Sequence, residues 1–297
     1  MHPQHRPRGR PTHRDAVAVR TSPYPFPVSE TTVPHDHGGP VLDRDGPAWH
    51  GVLPGLGRIH IDADGALDVS AAHASEEDET ALRHGWGDLL AFAHRGFSMA
   101  QGAAVTQGGR PDGSPGPALL LTGDAHDIAD VVLVLCARGW RLLSDRPTPV
   151  AWQDDTLVAQ PRPAPLVVAA QRAAGAGLAG RPVRAGSNAV AVTVPRAVEP
   201  APVAAIVQVQ RRRPDEAPFA EVLGQRRFER AATLMLHGAL APDHGAGDAG
   251  AESGEAVVAE HVRLAALPSA LVRLDGPADE AAVDLLVAWW TAAGGSP

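Results

Sequence analysis

The spacing of apolar and polar positions changes several times along the chain, and each change marks an element. Arg58-Ile59-His60-Ile61-Asp62 and Ala66-Leu67-Asp68-Val69-Ser70 alternate with a period of two on either side of Ala63-Asp64-Gly65. Alternation interrupted by Asp-Gly predicts an antiparallel hairpin. The period then lengthens. Leu82, Trp86, Leu89, Leu90 and Ala93 recur at helical spacing behind four acids, Glu76 to Glu79, which complement the dipole of a first turn, so Glu76 to Arg95 reads as helix. Two strand-like runs follow, Met99 to Thr106 and Ala118 to Thr122, joined by the Gly/Pro-rich residues 107–117. A turn, a helix from about Ile128 to Arg138 and a strand at 140–144 complete a unit of βαβ type. Further strands are expected at 150–152, 156–158, 166–168, 189–194, 204–210 and 270–274. Phe219 to Leu240 reads as a helix with Val222, Phe228, Ala231, Ala232 and Met235 inward, and Asp279 to Thr291 as a closing helix with Ala282, Leu285, Leu286 and Trp289 inward.

Two segments fall outside this periodicity. Residues 1–46 are rich in Pro, Arg, His and Gly and are expected to form a flexible N-terminal segment, interrupted by one strand-like run, Ala16 to Arg20. Asp243 to Glu255 is rich in Gly, Ala and acid and is expected to be a flexible insertion. The remaining chain, 47–297, reads as an α/β domain, for which the resemblance described below implies a mixed sheet with flanking helices. The pattern sets no oligomeric state.

Composition narrows the chemistry. All 26 basic residues are arginine, against 34 acids, for a net charge of −8. Without lysine there is no Schiff base, no lysine general base and no P-loop ammonium. The acidic balance argues against a nucleic-acid partner, because phosphate affinity comes from clustered cations that release counterions. An apolar fraction of 44% is ample for a core. No run reaches the ~18 uninterrupted apolar residues of a membrane span. Met1 to Arg10 is basic without a following apolar region, so no membrane association and a cytoplasmic location are expected. Cys136, inside the apolar run Val131 to Ala137, reads as a buried small hydrophobe.

Several strings, in this order, resemble the C-terminal domain of HPr kinase/phosphorylase and its serine-kinase-like relatives. Gly139-Trp140-Arg141-Leu142-Leu143-Ser144-Asp145 stands where the family has "G-h-R-L-L-S-D-D", and Phe97 to Val105 looks like the upstream strand reading "L-H-A-S-A-V". Glu221 to Leu236 and Leu264 to Trp290 look like the family's later helix and closing segment, so the likeness spans about 50 to 290. The resemblance implies a P-loop fold, and here its P-loop is degenerate. Active relatives carry "G-x-S-G-x-G-K-S/T", whose backbone N–H groups, lysine and hydroxyl hold phosphates and magnesium. In this chain Gly123 survives, while Ala125, His126, Ile128, Ala129 and Asp130 replace the rest. Asp124, Asp127 and Asp130 set negative charge at a helix start that otherwise attracts phosphate. Like charges 4 Å apart cost about 1 kcal/mol in water and about 4 at an effective dielectric of 20. The family's second acid is Arg146 here and its histidine is Gln101, which leaves Asp145 a lone carboxylate and a poor magnesium site.

Other motifs weigh less. Gly175-Ala176-Gly177-Leu178-Ala179-Gly180 matches G-x-G-x-x-G, but Arg181-Pro182 follows at once and no helix runs through it. His35-Asp36-His37 lacks a second cluster at defined spacing, so no metal site is expected. Arg211-Arg212-Arg213 ends an apolar strand and is either a solvated strand end or a docking patch for acids, which arginine's forked donors suit. Of the adjacent Trp289 and Trp290, only one can face inward.

The expectation is therefore a non-catalytic peptide- or protein-recognition factor without a cofactor. Relatives with this fold often sit beside enzymes that modify ribosomally made peptides. The resemblance implies an accessory protein of such a pathway, of the daptide recognition type, whose partners are a precursor peptide and a modifying enzyme. A divergent ATP-dependent serine kinase or phosphorylase is the alternative, and a structural subunit of a larger assembly a third.

Overall fold

A computed structural model of the chain describes residues 17–18, 41–53, 56–72, 76–108, 116–183, 188–234, 249–277 and 279–293. Its N-terminal part is an antiparallel meander of β1 (Val17–Ala18), β2 (Val41–Asp45), β3 (Ala48–Leu53), β4 (Gly57–Ile61) and β5 (Leu67–Ala71). The hairpin expected at Asp64-Gly65 is the β4–β5 turn. Gly65 takes a φ of 81°, and the Asp62 carboxylate accepts the backbone N–H groups of Asp64 and Ala66. Alternation sends Trp49, Ile59, Ile61 and Val69 to one face, where Leu82, Leu89, Leu90 and Ala91 cover them. Those residues belong to α1 (Glu76–Leu82), a π turn (Arg83–Gly87) and α2 (Asp88–His94), which together fill the helix expected over 76–95. The other face carries a row in register, Asp43, His50, His60 and Asp68, with the two imidazoles stacked.

β1 and β2 fall within the segment 1–46 that was expected to be flexible. Val41 and Leu42 pair with β3 through the Asp45-Gly46 turn, where Gly46 has a φ of 60°. The Pro and His content of the flanking residues hid this strand. Residues 1–16 and 19–40 of the expected flexible segment lie outside the described residues.

The larger sheet uses β6 (Ser98–Ala100), β7 (Gly102–Gln107), β8 (Ala118–Gly123), β9 (Trp140–Ser144), β10 (Thr148–Gln153) and β11 (Thr156–Ala159). Between β8 and β9 lies α3 (Ala125–Ala137). A smaller sheet follows: β12 (Leu166–Ala169), α4 (Ala170–Gly175), β13 (Gly180–Pro182) and β14 (Ala189–Val192). β15 (Ala201–Arg211), β16 (Phe219–Glu221), α5 (Gln225–Leu234), α6 (Ala249–Ala266), β17 (Ser269–Leu274) and α7 (Glu280–Ala292) complete the fold. The large sheet is mixed, in the order β6-β10-β11-β15-β8-β7-β9, with β17 also on β15 and β16 on β17. β15 is its spine. Its first residues run antiparallel to β11, and its remainder is parallel to both β8 and β17.

Period-two alternation in the central strands feeds two cores. Leu119, Leu121, Val207 and Val209 face α3 and α7, with Trp140 beside Trp290 at 6.2 Å between ring centres. Leu120 and Ile206 face the other way, toward Ala231, Leu234 and Leu264 of α5 and α6. α3 is apolar nearly all round because the large sheet, α7 and the small sheet enclose it, which is also why Cys136 is buried. Burial lifts that thiol to about 11.

Several expected elements shift. α3 starts at Ala125 rather than Ile128, because Asp124 caps it. The helix expected over 219–240 is strand β16 followed by α5, since Gly224 turns the chain at a φ of 58°. Val222 and Ala231 are buried as expected, while Phe228 and Ala232 are exposed, and Met235 lies outside the described residues. In α7 Leu286 and Trp290 face inward, Leu285 is exposed and Trp289 rests on Phe219. Of the insertion expected at 243–255, residues 249–255 are helical, a state that Ala251, Glu252 and Glu255 favour, and 243–248 lie outside the described residues. Residues 175–180 run from helix through turn to strand, the reverse of a dinucleotide-binding turn.

Arg162, almost fully buried, joins the two sheet systems. Its guanidinium donates to the carbonyls of His84 in the π turn and of Arg146 and Pro147 after β9. Arg196 donates to the carbonyls of Arg162 and Ala164. Burial lowers the pKa of Arg162, opposed by Asp145 and Asp88.

Candidate functional site

The strand–helix joint at the end of β8 is built around one glycine and one aspartate. Gly123 lies beside Val209 of β15 at a φ of 133°, and a Cβ there would stand 2.0 Å from the Val209 carbonyl oxygen. Only glycine lets β8 run this close to β15 before turning. Asp124 is extended, and its carboxylate accepts the backbone N–H of His126 at 2.8 Å, so α3 begins at the next residue. A Walker-type cradle needs several residues of loop to wrap a phosphate. Here one residue separates strand from helix, and a helix-start N–H already has an internal anionic partner.

Asp127 and Asp130 follow on one face of α3, both buried. Two arginines from distant segments reach them. β15, at 11 residues, extends past Gly123 and brings Arg211 over the first turns of α3, 2.6 Å from Asp127 and 3.2 Å from Asp130. Arg172, from α4, pairs with Asp130. Burial raises the pKa of Asp127, with Arg211 pulling it back and Asp124 adding to the rise. Burial lowers that of Arg172, and the like charge of Arg211 lowers it further. Three acids thus surround two arginines in a cluster that is close to self-neutral, and its cations already hold carboxylates.

The other sequence-derived residues lie apart from it. Asp145 follows β9, two strands from β8 and so about 10 Å across the sheet. Its carboxylate accepts the Arg146 backbone N–H at 2.8 Å and side-chain Nε at 3.1 Å. Arg212 pairs with Asp275 at 2.7 Å, and the backbone N–H of Arg213 donates to Glu216. Of the three consecutive arginines, Arg211 and Arg212 are engaged with acids of the chain itself. Arg172 was not singled out from the sequence, where an isolated arginine among alanines next to a Gly-rich stretch carries no signal. Arg230 was missed as well, one of three arginines in the charged run 226–230. It lines a cleft of about 40 Å³ on the opposite face of the sheet, with Thr122, Gln208, Thr233 and Ser269. Among the described residues no three His, Cys, Asp or Glu side chains gather as metal ligands, and no helix is long and apolar enough to cross a membrane.

No protein-family model and no curated protein matches the chain. Among solved structures it is similar to the Hpr(Ser) kinase/phosphatase from Coxiella burnetii, at 10% identity and a TM-score of 0.30, over 65% of this chain and 97% of the other. A likeness of that degree assigns no activity.

Proposed function

We propose that this protein is a non-catalytic recognition factor that grips another polypeptide, namely a precursor peptide presented to modifying enzymes in a cytoplasmic ribosomal-peptide pathway. The observation that carries the non-catalytic half is the joint at Asp124. A one-residue connection leaves no loop to wrap phosphates, and Asp127 and Asp130 hold Arg211 and Arg172 in internal pairs. A triphosphate arriving there would meet buried carboxylates and would have to displace one of them to reach a cation.

The polypeptide half draws on the sheet. Among the described residues β16 is in register with β17 alone, so its outer edge can accept an added strand, the mode in which main-chain hydrogen bonds supply affinity and side-chain pockets supply selectivity. Arg213, exposed in the connection leading to β16, stands where it can meet an acid on such a strand.

Titration calorimetry of the full chain tests the proposal, first with ATP and magnesium and then with peptides encoded beside its gene. Saturable heat with a peptide and none with nucleotide is the expected result. Saturable nucleotide binding would overturn it in favour of a divergent kinase.

A further inference from the structure

We infer that the cleft between β8, β15, β17 and α5 is a carboxylate-binding site built on Arg230, and that its ligand is an acidic side chain of the polypeptide partner. The second clause rests on the recognition role proposed above; the first does not.

Thr122 and Gln208 are partners in the β8–β15 ladder, and Ile206 and Ser269 in the β15–β17 ladder, so the floor of the cleft is set by strand register. Thr122 and Gln208 extend an otherwise apolar face on which Leu120 and Ile206 pack against α5 and α6. Arg230 closes the cleft from α5, next to the buried Ala231 that anchors the helix. One of its terminal nitrogens, Nη1, is buried and, among the described residues, has no hydrogen-bond partner.

The surroundings of Arg230 are cationic. Among the described residues, Arg273 and Arg226 act on it, both repulsive, and they add to a desolvation that already lowers its pKa. Among the described residues, three acids near it are engaged elsewhere. Glu216 pairs with Arg273 at 3.4 Å, Glu221 with Arg227 at 3.5 Å, and Glu229 accepts from Gln225 at 2.9 Å. Arginine does not give up its proton in a protein, so a guanidinium in this position is relieved by an anion rather than by neutralisation.

Size selects the anion. At about 40 Å³ the cleft has room for a group the size of a carboxylate. The forked guanidinium matches a carboxylate with two parallel hydrogen bonds. A carboxylate carried on a polypeptide also fits the position of Arg230 on α5, the helix that follows β16 after a short turn at Gly224.

The test is nitrogen-15 NMR of the arginine Nε–H groups in the full chain. It is titrated with sodium acetate, then with a ten-residue Glu-rich peptide and the same peptide with Gln at every Glu. Arg230 is expected to shift saturably with acetate and with the Glu peptide and not with the Gln peptide. Arg230→Met should weaken the Glu peptide by about tenfold or more, the loss of one charge-assisted hydrogen-bond pair, while Arg213→Met leaves the acetate response intact. An Arg230 signal that ignores acetate overturns the site. Acetate binding without Glu-peptide binding overturns the polypeptide ligand and leaves a pocket for a small free acid. Should Arg230→Met fail to fold, the wild-type titrations decide alone. Glu-peptide binding that leaves the Arg230 signal unmoved removes this inference while the recognition role stands.

Discussion

Gly123 has no room for even a methyl group, since the Val209 carbonyl already occupies the space and the backbone there has a positive φ. Gly123→Ala should therefore lower stability by more than about 2 kcal/mol in urea unfolding, where an ordinary surface glycine would cost a fraction of that. Asp127 makes a prediction about pH. Its folded pKa lies above the ordinary value of 3.8, chiefly through burial, so the folded state holds this proton better than the unfolded chain. The corresponding stability is present below the unfolded pKa and is lost as pH rises through the folded one. Compared with Asp127→Asn, the wild type should gain stability as pH is lowered from neutral through the carboxylate range, and unfolding midpoints of the two proteins along that series measure it. The sequence exposed half of this cluster. Three acids near a helix start are visible in a string, but Arg172 and Arg211 lie some 40 and 80 residues away, and their arrival depends on the length and register of β15.

At the level of elements, α3 depends on its ion pairs as well as its apolar faces. Asp130 and Arg172 are both mostly shielded from water, so Asp130→Asn, which takes away the direct partner of Arg172 and leaves Asp127 and Asp124 near it, should cost about 3 kcal/mol. Arg212→Ala breaks only an exposed pair with Asp275 and should stay within about 0.5 kcal/mol. Parallel chemical denaturation of both variants separates the two cases. Elements with a local signal were legible: the Asp-Gly hairpin, the acid-led helix after it, and the strand–helix–strand run through Trp140. Elements whose limits are set by partners were not. β16 is three residues long and exists because β17 lies beside it, and β2 is defined by its hairpin with β3. In both places local composition pointed elsewhere, toward helix at 219 and toward loop at 41.

For the molecule as a whole, alternation and helical periods predict strands with flanking helices, whereas the arrangement of its two sheet systems rests on a residue the sequence did not mark. Arg162 holds carbonyls from the π turn and from the segment after β9 at once. Arg162→Met would leave those carbonyls without their donor, and each buried unmet acceptor costs about 1–3 kcal/mol. Hydrogen exchange should then show residues 57–94 losing protection before the strands around β15. A variant in which both regions open together would mean that the joint lies elsewhere.

β15 also bears on how the chain is made. β8 receives its second neighbour only from a strand some 80 residues further along. On the ribosome, everything up to residue 200 must emerge and wait with one flank of a largely apolar strand uncovered. Nascent chains stalled before β15 are thus the species most exposed to wrong partners, and the ones that chaperones should be found holding.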